Sequence, residues 1–147
     1  MYDASVAIHV VAAILGFGVT FSYPVIQFAA ERRGLEALTV GLDAILAISR
    51  RIAVPAALVV GLTGGYQVVD GPYSLADAWL AVSLGLYLAV MAVAAVYLAP
   101  AYGRALDAAS RGSADDYEKA IRGTGRVGPL VATAIVAVAV LMEVKPG

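Results

Sequence analysis

The chain has 147 residues, of which 61% are apolar and 14% charged, against roughly 25% charged in a soluble domain. Its apolar residues come in long runs rather than scattered positions, which excludes an ordinary soluble globule and points to a membrane. The lack of cysteine excludes disulfides and thiolate metal sites, and a net charge of −1 with no basic stripe excludes nucleic acid as a partner.

A helical span needs roughly 20 apolar residues to cross a hydrocarbon core of about 30 Å. The runs predict an all-α membrane protein, a four-transmembrane-helix bundle in the lipid bilayer. It forms a single membrane domain, residues 1–147, with spans at about 4–30, 50–69, 77–99 and 126–144 and connections at 31–49 and 100–125. The amino terminus has no basic leader and no small-residue cleavage pattern, so the first run is expected to be a retained span.

In that first run Ser5, His9, Ala12, Gly16, Thr20, Tyr23 and Gln27 recur every third or fourth position and share one stripe. The opposite side, with Val6, Val10, Leu15, Phe17 and Phe21, suits lipid. His9 is the only histidine of the chain, and an imidazole in hydrocarbon is costly, so its stripe is predicted to face the bundle interior.

The connection at 31–49 repeats Leu35, Leu38, Leu42, Ile45 and Leu46 at helical spacing, which predicts a helix extending from the bilayer. Past Arg50 and Arg51, the second span carries Ala53, Ala57, Gly61 and Gly65, a small residue every fourth position. With Gly16, these are the predicted helix-packing positions, where backbones approach closely. Pro55 is expected to kink this helix.

A short Gly-Pro turn without any base leads to the third span, where Trp79, Ser83, Tyr87, Val90, Ala94 and Tyr97 fall on one side. Pro100 and Gly103 mark its exit. Ser113 reads as the N-cap of a helix that places Asp115 and Asp116 at its positive end. The fourth span closes with Met142 and Glu143. Tyrosines and Trp79 near the span ends fit aromatic belts.

Nine of the ten bases lie in the two long connections or at their edges, and only Lys145 lies beyond them. The positive-inside rule then places both termini on the outer (periplasmic or extracellular) side of a bacterial inner membrane. Similar punctuation in the two halves, with Tyr23-Pro24 against Tyr97-Leu-Ala-Pro100 and Arg51 to Pro55 against Arg126 to Pro129, suggests two repeated helical hairpins.

Two roles are open to His9. It hydrogen-bonds within the bundle, or it ligates a b-type haem with Met142 as candidate second ligand. One histidine with a few carboxylates makes a poor zinc site, and no catalytic machinery is evident. The chain reads as a small multi-pass membrane protein, either stand-alone or an accessory subunit of a larger complex, with a homo-oligomer also open.

An early histidine in span one, Gly16 seven residues later, an aromatic-rich end and Ala30-Glu31-Arg32-Arg33 together resemble a family of small bacterial predicted integral membrane proteins of unknown function. The chain is more distantly similar to the copper-resistance D-type membrane domain and to the haem-associated four-helix membrane protoporphyrinogen oxidase. The resemblance implies a four-span architecture, with His9 at the place of that oxidase's early histidine. The oxidase pairs this histidine with an intramembrane lysine, whereas here no lysine precedes Lys119.

Overall fold

The computed structural model describes residues 1–71 and 73–145; Pro72 of the expected Gly-Pro turn, Pro146 and Gly147 lie outside the described residues. Four long helices carry the fold: α1 (Tyr2–Glu31), α2 (Leu35–Asp70), α3 (Ala78–Ser110) and α4 (Ala114–Val144). They are 30 to 36 residues long. At 1.5 Å per residue that is about 45–54 Å, well beyond a hydrocarbon core of about 30 Å. The excess is absorbed by the connections, which are helix rather than loop. An all-helical spanning chain satisfies its backbone polar groups within each helix, as hydrocarbon requires.

Successive helices run antiparallel, α1 packing along α2, α3 along α4, and α2 meeting α3 near one end of the bundle. Both hairpins turn at that end through an Arg-Gly pair, Arg33-Gly34 and Arg111-Gly112. The glycines have φ of +94° and +74°, a region that other residues resist. At the second turn Ser113 N–H donates to the Ala108 carbonyl, the six-to-one bond of a Schellman ending. The Ser113 hydroxyl then accepts from Asp116 N–H and caps the next helix. Both hairpins thus turn through an Arg-Gly pair, while Pro100 and Gly103, expected to mark the exit of the third span, lie inside α3.

Each helix carries one proline, and three of them depart from α geometry just before it. Val19–Ser22 tightens to a 3₁₀ turn ahead of Pro24, while Ser49–Ala53 and Ala94–Leu98 widen to π turns ahead of Pro55 and Pro100. Proline lacks an N–H and clashes with the carbonyl one turn back; a wider turn moves that carbonyl aside. In α4 the helix breaks earlier, at Arg122 and Gly123, between Ala114–Ile121 and Thr124–Val144. There the Tyr97 hydroxyl lies against Gly123, where any side chain would collide with it.

The best-packed cluster is not in the middle of the bundle. Ala30, Leu38, Leu42, Ala105, Ala108, Ala109 and Tyr117 bury one another at the end with the two Arg-Gly turns, hereafter the basic end. Elsewhere large apolar side chains such as Ile14, Leu62 and Leu130 stay 66–76% exposed, as lipid-facing residues do.

Candidate functional site

Small residues set how the helices meet. A Cβ on Gly16 would lie 2.9 Å from the Ala56 methyl and 3.3 Å from the Ala57 amide, so α1 and α2 touch backbone to backbone there. Ala53 and Ala57 are buried at that crossing. Gly61 faces the other way, under the Tyr87 hydroxyl of α3, and Tyr87 donates a 2.8 Å hydrogen bond to the Ala57 carbonyl. A Cβ on Gly65 would meet open space.

His9 sits within the same hairpin. Its Nδ1 lies 2.9 Å from the Thr63 hydroxyl, and its ring packs over Gly64, where a Cβ would come within 3.2 Å. The Thr63 hydroxyl is itself 2.6 Å from the Val59 carbonyl, to which it donates. Its proton being spent there, Nδ1–H is the donor to Thr63, and Nε2 keeps the lone pair. That assignment follows from the hydrogen-bond network. Met142 is half-buried on α4, which packs along α3 and makes no comparable contact with α1. Asp77 accepts from the Ser74 amide at 3.0 Å, and Glu143 is exposed. Among the described residues no histidine, aspartate and glutamate come together as a metal site.

Because α1 and α4 do not pack along their lengths, the two hairpins diverge and leave a cleft of about 1000 Å³. It has four walls. Gly16, Phe17, Thr20 and Phe21 come from α1; Ser49, Ala53 and Ala57 from α2; Val90, Met91 and Ala94 from α3; Gly125, Gly128, Ala132 and Ile135 from α4. Neither His9 nor Met142 lines it. The 3₁₀ turn and both π turns border it, so the proline breaks shape its walls. Phe17 and Phe21, expected to face lipid, do face outward from α1, but into a cleft that opens between α1 and α4 toward the bilayer. Periodicity separates polar from apolar faces, and it cannot separate lipid from an apolar cleft.

At the basic end the cleft is closed by polar side chains from three helices. Gln27 of α1 donates to Glu31 at 2.9 Å and lies 3.1 Å from the Tyr117 hydroxyl of α4, while Tyr102 of α3 donates to Gln27 at 3.0 Å. Tyr117 also donates to Glu31. Gln27 is thus the residue through which α1 reaches both α3 and α4. Its place on the polar stripe of α1 was the available signal; Tyr102 read as a belt anchor, and nothing in the sequence distinguished Tyr117. The Tyr23 hydroxyl is buried in the cleft wall and has no hydrogen-bond partner among the described residues.

The opposite end is tied by aromatic residues. Lys145 donates to the Tyr73 hydroxyl at 2.7 Å and stands 4.9 Å from that ring, which meets Trp79 edge-on at 5.5 Å. The Lys145 ammonium and the Tyr2 hydroxyl hold the Tyr73 phenol below its ordinary pKa.

A family described as predicted integral membrane proteins, DUF2269, matches residues 5–146. No curated protein and no solved structure is detectably similar to the chain.

Proposed function

The chain belongs to that family of integral membrane proteins, and from this premise we propose that it is a non-catalytic binding protein that takes an amphiphile from the bilayer into its lateral cleft. The supporting observation is the cleft of about 1000 Å³ between the hairpins, apolar along its length and polar at its basic end. That is the upper range of small-molecule sites, which combine apolar walls with a few polar groups. The skew of nine of ten bases supports an inner-membrane location of a bacterial protein, with both termini outside and the basic end in the cytoplasm. The reading suits a stand-alone protein and an accessory subunit alike. Chromatography and mass spectrometry of material extracted from purified protein test it. At least one lipid-like molecule per chain retained through detergent exchange supports it, and none retained contradicts it.

A second reading keeps His9 as the axial ligand of a b-type haem. It is favoured by the Nδ1 bond to Thr63, because ligating histidines characteristically donate their other nitrogen and leave Nε2 free. Such a haem would lie outside the cleft, which His9 does not line, with Met142 of α4 as its candidate second ligand. Oxidised and reduced absorption spectra of wild type and His9→Ala decide. A Soret band lost in the variant supports haem, and a colourless protein from haem-replete cells contradicts it.

A further inference from the structure

Each of the four helices loses regular α geometry once, and the four breaks lie at one level. Val19–Ser22 of α1 touches Ser49–Ala53 of α2, and Tyr97, in the Ala94–Leu98 turn of α3, lies against Gly123 of α4. Each break is about three to four helical turns from an Arg-Gly turn, and Thr20, Ser49, Ala94 and Arg122 bring all four to the cleft wall. On the basic side of this level the four helices share one core through Ala30, Leu42, Ala105 and Tyr117, and Gln27 ties α1 to Tyr102. On the other side each hairpin packs within itself, α1 along α2 and α3 along α4. Helices change direction most readily at 3₁₀ turns, π turns and prolines, where the regular hydrogen-bond ladder is already interrupted.

The outer ends of α1 and α4 meet at one phenol. Lys145, just past α4, donates to the Tyr73 hydroxyl at 2.7 Å, and the Tyr2 hydroxyl at the start of α1 hydrogen-bonds the same group. The connection from Asp70 to Ala78 joins α2 and α3 at that end through the chain itself, and Tyr87 bonds Ala57 on the same side. The helices able to part are therefore α1 and α4. Exposed polar contacts such as the one at Tyr73 are weak, because water competes for each partner.

We infer that the fold is a hinged clamp: the two hairpins swing as rigid arms on the four breaks, and the Tyr2–Tyr73–Lys145 contact is the clasp that holds α1 and α4 together across the outer end of the cleft. The basic end is the fixed base. This goes beyond the reading of the cleft as a binding site and stands whatever the cleft holds. The arms are Tyr2–Gly18 and Val54–Asp70 in one hairpin, Ala78–Val93 and Thr124–Val144 in the other. They are 16 to 21 residues long, about 24–32 Å at 1.5 Å per residue. A change of direction of about 20° at the breaks moves their tips by about 10 Å.

Double electron–electron resonance on the full chain in nanodiscs tests this, with spin labels on pairs of introduced cysteines in a chain that has none of its own. Val11→Cys with Val140→Cys reads α1 against α4, Val11→Cys with Leu62→Cys reads one hairpin within itself, and Glu36→Cys with Asp115→Cys reads the base; these positions are exposed. Lys145→Ala, which opens the clasp, should lengthen the first distance by about 10 Å and leave the other two unchanged. Adding Pro24→Ala, Pro55→Ala and Pro100→Ala, which restore the missing amide N–H groups, should at least halve that lengthening. An α1–α4 distance unmoved by Lys145→Ala overturns the inference. So does an equal change within the hairpin or in the base, which would show loose helices in place of rigid arms on a fixed base. Lengthening undiminished by the proline replacements overturns the breaks as the hinge. If the proline variant does not fold, the three distances in the Lys145→Ala chain still decide between swinging arms and a loose bundle.

Discussion

The Tyr87 hydroxyl of α3 lies 2.7 Å from the point where a Cβ on Gly61 of α2 would stand. That closeness lets Tyr87 reach across and hydrogen-bond the Ala57 carbonyl, joining the two hairpins at mid-bundle. Gly61→Leu must displace the ring and break the bond. Overpacking of this kind costs about 1–3 kcal/mol. Gly65→Leu, which enters open space, should stay within about 0.5 kcal/mol of wild type. Unfolding in mixed micelles measures both, and equal losses would remove Tyr87 from this role.

His9 and Thr63 make a second interhelical bond, within the first hairpin. Thr63→Val leaves Nδ1–H without its acceptor and is expected to cost about 1 kcal/mol, the scale of polar contacts inside membrane bundles. A double-mutant cycle with His9→Ala isolates the pair. A coupling energy near zero would mean that the two side chains do not act together.

Gln27 holds the basic end together through Tyr102 and Tyr117. Gln27→Leu removes the links from α1 to Tyr102 and through Gln27 to Tyr117, and leaves the Tyr117–Glu31 bond as the remaining polar tie at that end. The expected outcome is a loss of about 1–2 kcal/mol in stability, from several hydrogen bonds lost together. Faster proteolysis at the Arg33-Gly34 turn should accompany it.

Tyr73 offers a pH test, because Lys145 and Tyr2 hold its pKa below the ordinary phenol value of about 10. The native phenol releases its proton earlier than the unfolded one. Its contribution to stability is therefore fully present above the unfolded pKa and disappears as pH falls through the lower native value; at neutral pH it adds nothing. Tyrosinate absorbance should show an early titration step that Tyr73→Phe abolishes and Lys145→Ala moves upward.

Much of this architecture was legible in residue spacing. Long apolar runs gave the four helices, since a chain in lipid has few other ways to satisfy its backbone. The polar stripe of α1 put His9 inside, and Ser113 announced its cap. What could not be read was which helix faced which. Thr63 is an ordinary threonine until α1 is known to lie on α2, and Tyr102 reads as an interfacial anchor, with Tyr117 undistinguished, until Gln27 is seen between them. The cleft was hidden for a related reason. Phe17 and Phe21 have the same pattern whether they meet lipid or a groove open to lipid, and only the separation of α1 from α4 distinguishes the two.

The most direct test of the cleft as a binding site is to fill it from within. Gly128 lines the cleft and a Cβ there has nothing within 4 Å, so Gly128→Trp should fold with wild-type helicity while its ring occupies the space. Lipid retained per chain after detergent exchange is the quantity to measure in both proteins. The account predicts at least one molecule in wild type and a clear loss in Gly128→Trp; equal retention by the two would contradict it.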